Sequence, residues 1–126
     1  MATPTKQHIL IVEDDGFLAG IYAEKLEVAG YDVTLATNGE DGLRLAQKEK
    51  PSLILLDLAL PRVDGFEVLE TLKKDAETAG IPVIIFSNLG QRNDVERCMA
   101  LGAAGYVIKA HTLPQEVIVK IRGILG

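Results

Sequence analysis

Three runs of this chain, Ile9-Leu10-Ile11-Val12, Leu53-Ile54-Leu55-Leu56 and Val83-Ile84-Ile85-Phe86, are apolar at every position. That continuity constrains the fold more than anything else in it. A strand with one wet face alternates apolar and polar residues. A strand that does not alternate is covered on both faces, as in a parallel sheet lying between layers of helices. Five strand segments emerge: His8 to Val12, Asp32 to Ala36, Leu53 to Asp57, Val83 to Ser87 and Gly105 to Ile108. Only the second, where Val33 and Leu35 alternate with Asp32 and Thr34, has the half-exposed pattern of an edge strand. An amphipathic stretch separates each strand from the next, with no linker, repeat or low-complexity segment. Five βα repeats of this kind predict one α/β domain over residues 1–126, with a doubly wound parallel sheet.

The helices are bounded by recognisable ends. The first is expected from Gly16 to Ala29, with Leu18, Ile21, Tyr22 and Leu26 inward and Gly30 as a left-handed stop. Thr37 with Glu40 reads as a capping box for the second helix, which Pro51 closes. Asp64 with Glu67 opens the third, whose Phe66, Leu69 and Leu72 face the core. The fourth runs from about Gln91 to Leu101 and stops at Gly102. Thr112 with Gln115, and Pro114 in the first turn, start the fifth, with Val117, Ile118, Ile121 and Leu125 as its apolar stripe.

A net charge of −5 disfavours nucleic acid or an anionic membrane as a direct partner, since both reward basic surfaces. No apolar run approaches the roughly 20 residues that span a bilayer, and neither end carries a signal pattern, so a cytoplasmic location without membrane insertion is expected. Cys98, the only cysteine, leaves no internal disulfide and reads as a packed thiol. His8 and His111 receive no role.

In a doubly wound sheet, functional side chains collect beyond the carboxyl ends of the strands. The first strand end offers Glu13, Asp14 and Asp15, the third Asp57, the fourth Ser87 and Asn88, and the fifth Lys109; the second offers only Thr37 and Asn38. Asp15 reads as the N-cap of the first helix. Asp57 is the most telling, because a carboxylate ending an apolar strand is costly unless it is used. Two like charges about 4 Å apart repel by roughly 4 kcal/mol at an effective dielectric of 20, so the converging acids call for a cation. All the side-chain donors are hard oxygens, which points to Mg²⁺ with phosphate or water completing its shell. Asp57 would then act as nucleophile, Lys109 as the cationic contact to an incoming anion, and Ser87 as its hydrogen-bond donor.

Four elements in order, Ile11-Val12-Glu13-Asp14-Asp15, Asp57 followed by Leu60-Pro61-Arg62-Val63-Asp64-Gly65, Ser87, and Tyr106-Val107-Ile108-Lys109, resemble the receiver domain of response regulators, in the manner of single-domain chemotaxis regulators. The resemblance covers His8 to Leu125. It implies a flavodoxin-like five-stranded sheet in the order 2-1-3-4-5 with five helices. It also implies a signalling domain rather than an enzyme in the ordinary sense, one that catalyses its own phosphorylation and dephosphorylation. Asp57 would accept a phosphoryl group from a histidine kinase or histidine phosphotransfer protein. Mg²⁺, with Mn²⁺ able to substitute, would be held by Asp14, Asp57, the backbone carbonyl of Ala59 and, directly or through water, Glu13. Ser87 and Tyr106 would be switch residues, altering the face of the fourth helix, fifth strand and fifth helix that a downstream protein reads.

Departures from the family pattern carry expectations of their own. Ala110 stands where the family usually has a cis proline, and a non-proline cis bond costs roughly 2.5–4 kcal/mol, so a trans bond or a strained loop is expected. Asn88 replaces a small residue and would narrow the approach of a phosphodonor. Neither Ala59 nor Leu89 can orient a water, so self-dephosphorylation is expected to be slow. Ala59 also lacks the second acid that an aspartyl-phosphate phosphatase or mutase would need there, and Glu13-Asp14-Asp15-Gly16 would repel a dinucleotide pyrophosphate. A pseudo-receiver that binds proteins without phosphate stays open as the alternative, as does the choice between a stand-alone regulator and a domain of a longer protein.

Overall fold

The computed structural model describes residues 6–126, so the first five residues of the expected 1–126 domain lie outside it. Five strands, β1 (His8–Val12), β2 (Asp32–Ala36), β3 (Leu53–Leu56), β4 (Val83–Ser87) and β5 (Gly105–Ile108), alternate with α1 (Gly16–Val28), α2 (Gly39–Glu49), α3 (Gly65–Lys74), α4 (Arg92–Ala100) and α5 (Pro114–Leu125). The sheet is wholly parallel in the order β2-β1-β3-β4-β5, the flavodoxin-like order expected from the sequence. β3 is the middle strand, and β2 is an edge with Asp32 and Leu35 exposed.

The all-apolar runs feed both faces at once, because successive side chains point opposite ways. Leu10, Val12, Ile54, Leu56, Val83 and Ile85 pack against Ala46 of α2, Val68, Leu69 and Leu72 of α3 and Cys98 of α4. Ile9, Ile11, Leu53, Leu55, Ile84 and Phe86 pack against Ala19, Tyr22 and Leu26 of α1 and Val117 and Ile121 of α5. Leu53 through Leu56 are wholly buried, each contributing about 1.5–3 kcal/mol by leaving water. Phe66 lies at the rim of its cluster, half-buried, where the Arg97 guanidinium sits 4.0 Å from its ring centroid. Cys98 is buried and free, as expected of a packed thiol.

Several helix ends fall where the sequence placed them. Asp15 Oδ1 accepts from the Leu18 N–H and Asp64 Oδ1 from the Glu67 N–H, while Gly30 and Gly102 take φ of +104° after α1 and α4. Two starts are corrected by one residue. Helix α2 is capped by Asn38 rather than Thr37: Asn38 Oδ1 accepts from the Asp41 N–H at 2.8 Å and its amide donates back to the Asp41 carboxylate at 3.1 Å. Asparagine caps somewhat better than threonine, and this reciprocal pair has no counterpart for Thr37. Helix α5 begins after Leu113, whose N–H donates to Glu116 at 3.0 Å, while the Thr112 hydroxyl is spent on the Ile108 carbonyl. The expected Thr112–Gln115 box is therefore not formed. β3 ends at Leu56, one residue early, leaving Asp57 just past the strand with its N–H still donating to Val12 O. Among the described residues no helix is long and apolar enough to cross a membrane.

Candidate functional site at the carboxyl edge of the sheet

The acids of the first strand end and Asp57 meet because β1 and β3 are neighbours with Val12 opposite Leu56. Glu13, Asp14 and Asp57 each present a carboxylate oxygen within 4.8 Å of the others. Glu13 is held by its own N–H donating to Ala36 O, and its Oε1 accepts from the Asp15 N–H at 3.3 Å. Asp57 Oδ1 accepts from the Ala59 N–H at 3.2 Å. Glu13 and Asp57 are buried and Asp14 is exposed, so the cluster opens to solvent through Asp14.

Lys109 arrives from two strands away. Its ammonium donates to Glu13 Oε2 at 2.6 Å and to Asp57 Oδ2 at 3.0 Å, and lies 5.1 Å from the centroid of the Phe86 ring. One positive charge therefore serves two buried acids. Burial pushes the Glu13 carboxyl up to about 7 despite the Lys109 bond, with the Asp57 charge adding to the rise. Burial works against the Lys109 ammonium too, but its bonds to Glu13 and Asp57 and their charges outweigh it, and its pKa is raised. A pocket this short of positive charge, with three hard oxygen donors in reach, has the chemistry of a hard divalent-cation site.

The remaining expected residues belong to β4 and β5. Ser87 is buried at the end of β4, its Oγ accepting from the Leu89 N–H at 3.2 Å, and it bonds to none of the acids. The Tyr106 hydroxyl donates to the Leu89 carbonyl, not to the pocket; burial is the main cause pushing its phenol up to about 12. Every peptide bond in the described chain is trans. The Lys109–Ala110 bond is thus trans, as expected, and a short 3₁₀ turn over Lys109–His111 follows. The Asn88 side chain does not stand free at the mouth: its Oδ1 accepts from the Ala110 N–H at 3.1 Å.

Two contributors were given no role from the sequence. The Phe86 ring lies beneath the Lys109 ammonium, its centroid 5.1 Å away, a contact no strand pattern reveals because its neighbours are equally apolar. Gly65 allows α3 to start against the floor of the site: its N–H donates to Leu58 O at 2.9 Å, and a Cβ there would collide with Asp57 O and the Leu58 Cα. Its signal was the glycine directly after the capping Asp64. His8, given no role, lies at the far end of the sheet against Thr34 and Glu49.

Comparison with known proteins agrees with this geometry. A family profile described as the response regulator receiver domain matches residues 9–122. A curated relative, the DNA-binding dual master transcriptional regulator RpaA of Synechocystis, is 41% identical over 93% of this chain and 48% of its own length. The chain thus spans about half the length of the first curated relatives it matches. A CheY-like receiver domain protein from Methanospirillum hungatei superposes with a TM-score of 0.90 at 29% identity, covering 96% of this chain and 94% of that one. The receiver domain of sensor histidine kinase PA1611 from Pseudomonas aeruginosa, described with a magnesium ion coordinated in its active site cleft, superposes with a TM-score of 0.87 at 26% identity, covering 97% and 99%.

Proposed function

Because this chain belongs to the response regulator receiver domain family, we propose that residues 8–125 form a receiver in which Asp57 accepts a phosphoryl group from a histidine kinase or histidine phosphotransfer protein in the cytoplasm. The observation that carries this reading is the Lys109 ammonium bridging Glu13 and Asp57 beside the exposed Asp14. An oxygen of Asp57 attacks phosphorus as the donor's P–N bond breaks, and the histidine leaves with its ring nitrogen free to take up a proton. Asp57 is already ordered by the Ala59 N–H on one oxygen and Lys109 on the other, so little reorganisation precedes attack. Glu13, Asp14, Asp57 and the Ala59 carbonyl would hold Mg²⁺, with Mn²⁺ a substitute. When bound, the ion supplies charge neutralisation for the incoming phosphoryl oxygens.

After transfer, Lys109 keeps a partner in the new dianion and Ser87 gives up the Leu89 N–H to donate to a phosphoryl oxygen. That exchange releases the Leu89 N–H, and the Leu89 carbonyl is what holds Tyr106, so the α4, β5 and α5 face changes and a downstream protein reads it. Ala59 and Leu89 carry no group to orient an attacking water, and the phosphorylated state is accordingly long-lived. The test is intact mass after acetyl phosphate with Mg²⁺: one phosphoryl group gained by the parent and none by Asp57→Asn. No gain in either would favour a phosphate-independent protein-binding module on the same fold.

A further inference from the structure

The last paired residues of β4 and β5 are Ser87 and Ile108. Beyond them the strands share no ladder, yet the loops remain joined, because the Ala110 N–H donates to Asn88 Oδ1 at 3.1 Å. The side-chain amide stands in for the main-chain carbonyl that a longer β4 would have offered. The tie needs two features together, an acceptor on residue 88 and an N–H on residue 110. A proline at 110 would lack the second. Both have the pocket's working residues as neighbours: Ser87 precedes Asn88, and Lys109 precedes Ala110. Lys109 is therefore anchored to β4 from both sides, through Ile108 by the sheet and through Ala110 by Asn88.

We propose that Asn88 is a positioning residue for Lys109, acting through the Ala110 N–H; this rests on the phospho-acceptor reading of the site given above. A lysine side chain has four rotatable bonds, so its ammonium is aimed only as well as its backbone is fixed. Without Asn88 the 3₁₀ turn over Lys109–His111 pivots about Ile108, and the ammonium is held less closely to Glu13 and Asp57. The same tie makes the Ser87 and Lys109 loops move together. Asn88 and Ala110, each unusual by itself, thus form a matched pair in this chain. The tie is exposed to water, so its loss is worth about a two- to tenfold effect, the scale of one neutral hydrogen bond.

Amide hydrogen exchange measured by NMR reads the tie without any phosphodonor. The Ala110 N–H should exchange slowly in the parent, faster in Asn88→Ala and slowly again in Asn88→Asp, which keeps an oxygen acceptor; equal exchange in all three overturns the proposal. The functional arm is a double-mutant cycle of Asn88→Ala and Ala110→Pro, read as the rate of labelling by acetyl phosphate with Mg²⁺. The wider pocket mouth left by alanine contributes equally in both backgrounds and cancels. The expected coupling is about two- to tenfold, and additive effects overturn the proposal. Equilibrium Mg²⁺ binding decides it even if Ala110→Pro does not fold or the parent takes no label, which would sink the phospho-acceptor reading separately. A loosened Lys109 leaves the acids less neutralised, so Asn88→Ala should bind Mg²⁺ about two- to tenfold more tightly than the parent, and unchanged affinity counts as refutation.

Discussion

The Lys109 ammonium stands closer to Glu13, at 2.6 Å, than to Asp57, at 3.0 Å. The lysine placed to receive an anion thus spends its charge largely on a residue that would hold a metal. Lys109 and a divalent cation would compete for the charge of the same two carboxylates, Glu13 and Asp57.

Replacing Lys109 with alanine should therefore have opposite effects on stability and on metal binding. In EDTA the variant should lose about 1–3 kcal/mol, less than the roughly 3–5 kcal/mol of an ordinary broken buried pair, because Glu13 can take up a proton. Its Mg²⁺ affinity should rise, while labelling of Asp57 falls at least tenfold, on the order of a lost charged hydrogen bond. Thermal melts, a Mg²⁺ titration and intact mass read the three effects. A weaker Mg²⁺ affinity would contradict the competition.

Glu13 carries a pH dependence of definite sign. Its folded pKa, about 7, lies above the ordinary 4.5 chiefly through burial. Its contribution to stability is full below 4.5 and is lost as pH rises through 7. In EDTA, Glu13→Gln should melt above the parent by a margin that widens across that window and then levels off. Mg²⁺ should shrink the margin by stabilising the parent. A margin independent of pH would show that folding does not raise the Glu13 pKa.

Two glycines should respond in opposite directions. At Gly65 an added Cβ meets Asp57 O and the Leu58 Cα, backbone atoms that cannot swing aside, so Gly65→Ala should cost about 1–3 kcal/mol and weaken Mg²⁺ binding by displacing Asp57. At Gly20, within α1, a Cβ meets nothing within 4 Å, and Gly20→Ala should add about 0.5–1 kcal/mol. Denaturant titrations of both measure the contrast; a neutral Gly65→Ala would mean that the α3 start is free to shift.

Cys98 should resist thiol reagents in the folded protein. Burial is the main cause pushing its thiol up to about 11, leaving about one part in a thousand as thiolate near pH 8. Alkylation should be slow until guanidinium unfolds the chain and fast afterwards. Rapid labelling of the native protein would reveal an opening of α4.

The strands and the strand-end residues were legible because they rest on local chemistry. An all-apolar run such as Leu53 to Leu56 has one plausible home, and Asp15 and Asp64 cap helices by bonds to residues three positions away. Caps failed where neighbouring residues offered similar chemistry, as with Thr37 and Asn38. The distribution of the Lys109 charge between Glu13 and Asp57 was not legible, since those contacts span 96 and 52 residues of chain. Nor was the Asn88–Ala110 tie, since each residue looked unusual only alone.

The strand order has a consequence for where variation can accumulate. With β3 in the middle, the acids arrive from its β1 side and the hydroxyl and ammonium from its β4 and β5 side. The crevice above Asp57 has one bank of carboxylates and a second bank of two loops laced together by the Asn88 and Tyr106 side chains. Substitutions on the first bank alter what the crevice can hold. Those on the second would reach both Asp57, through Lys109, and the outward face, through Tyr106, so descendants of this chain could not retune their output without also touching the chemistry of Asp57.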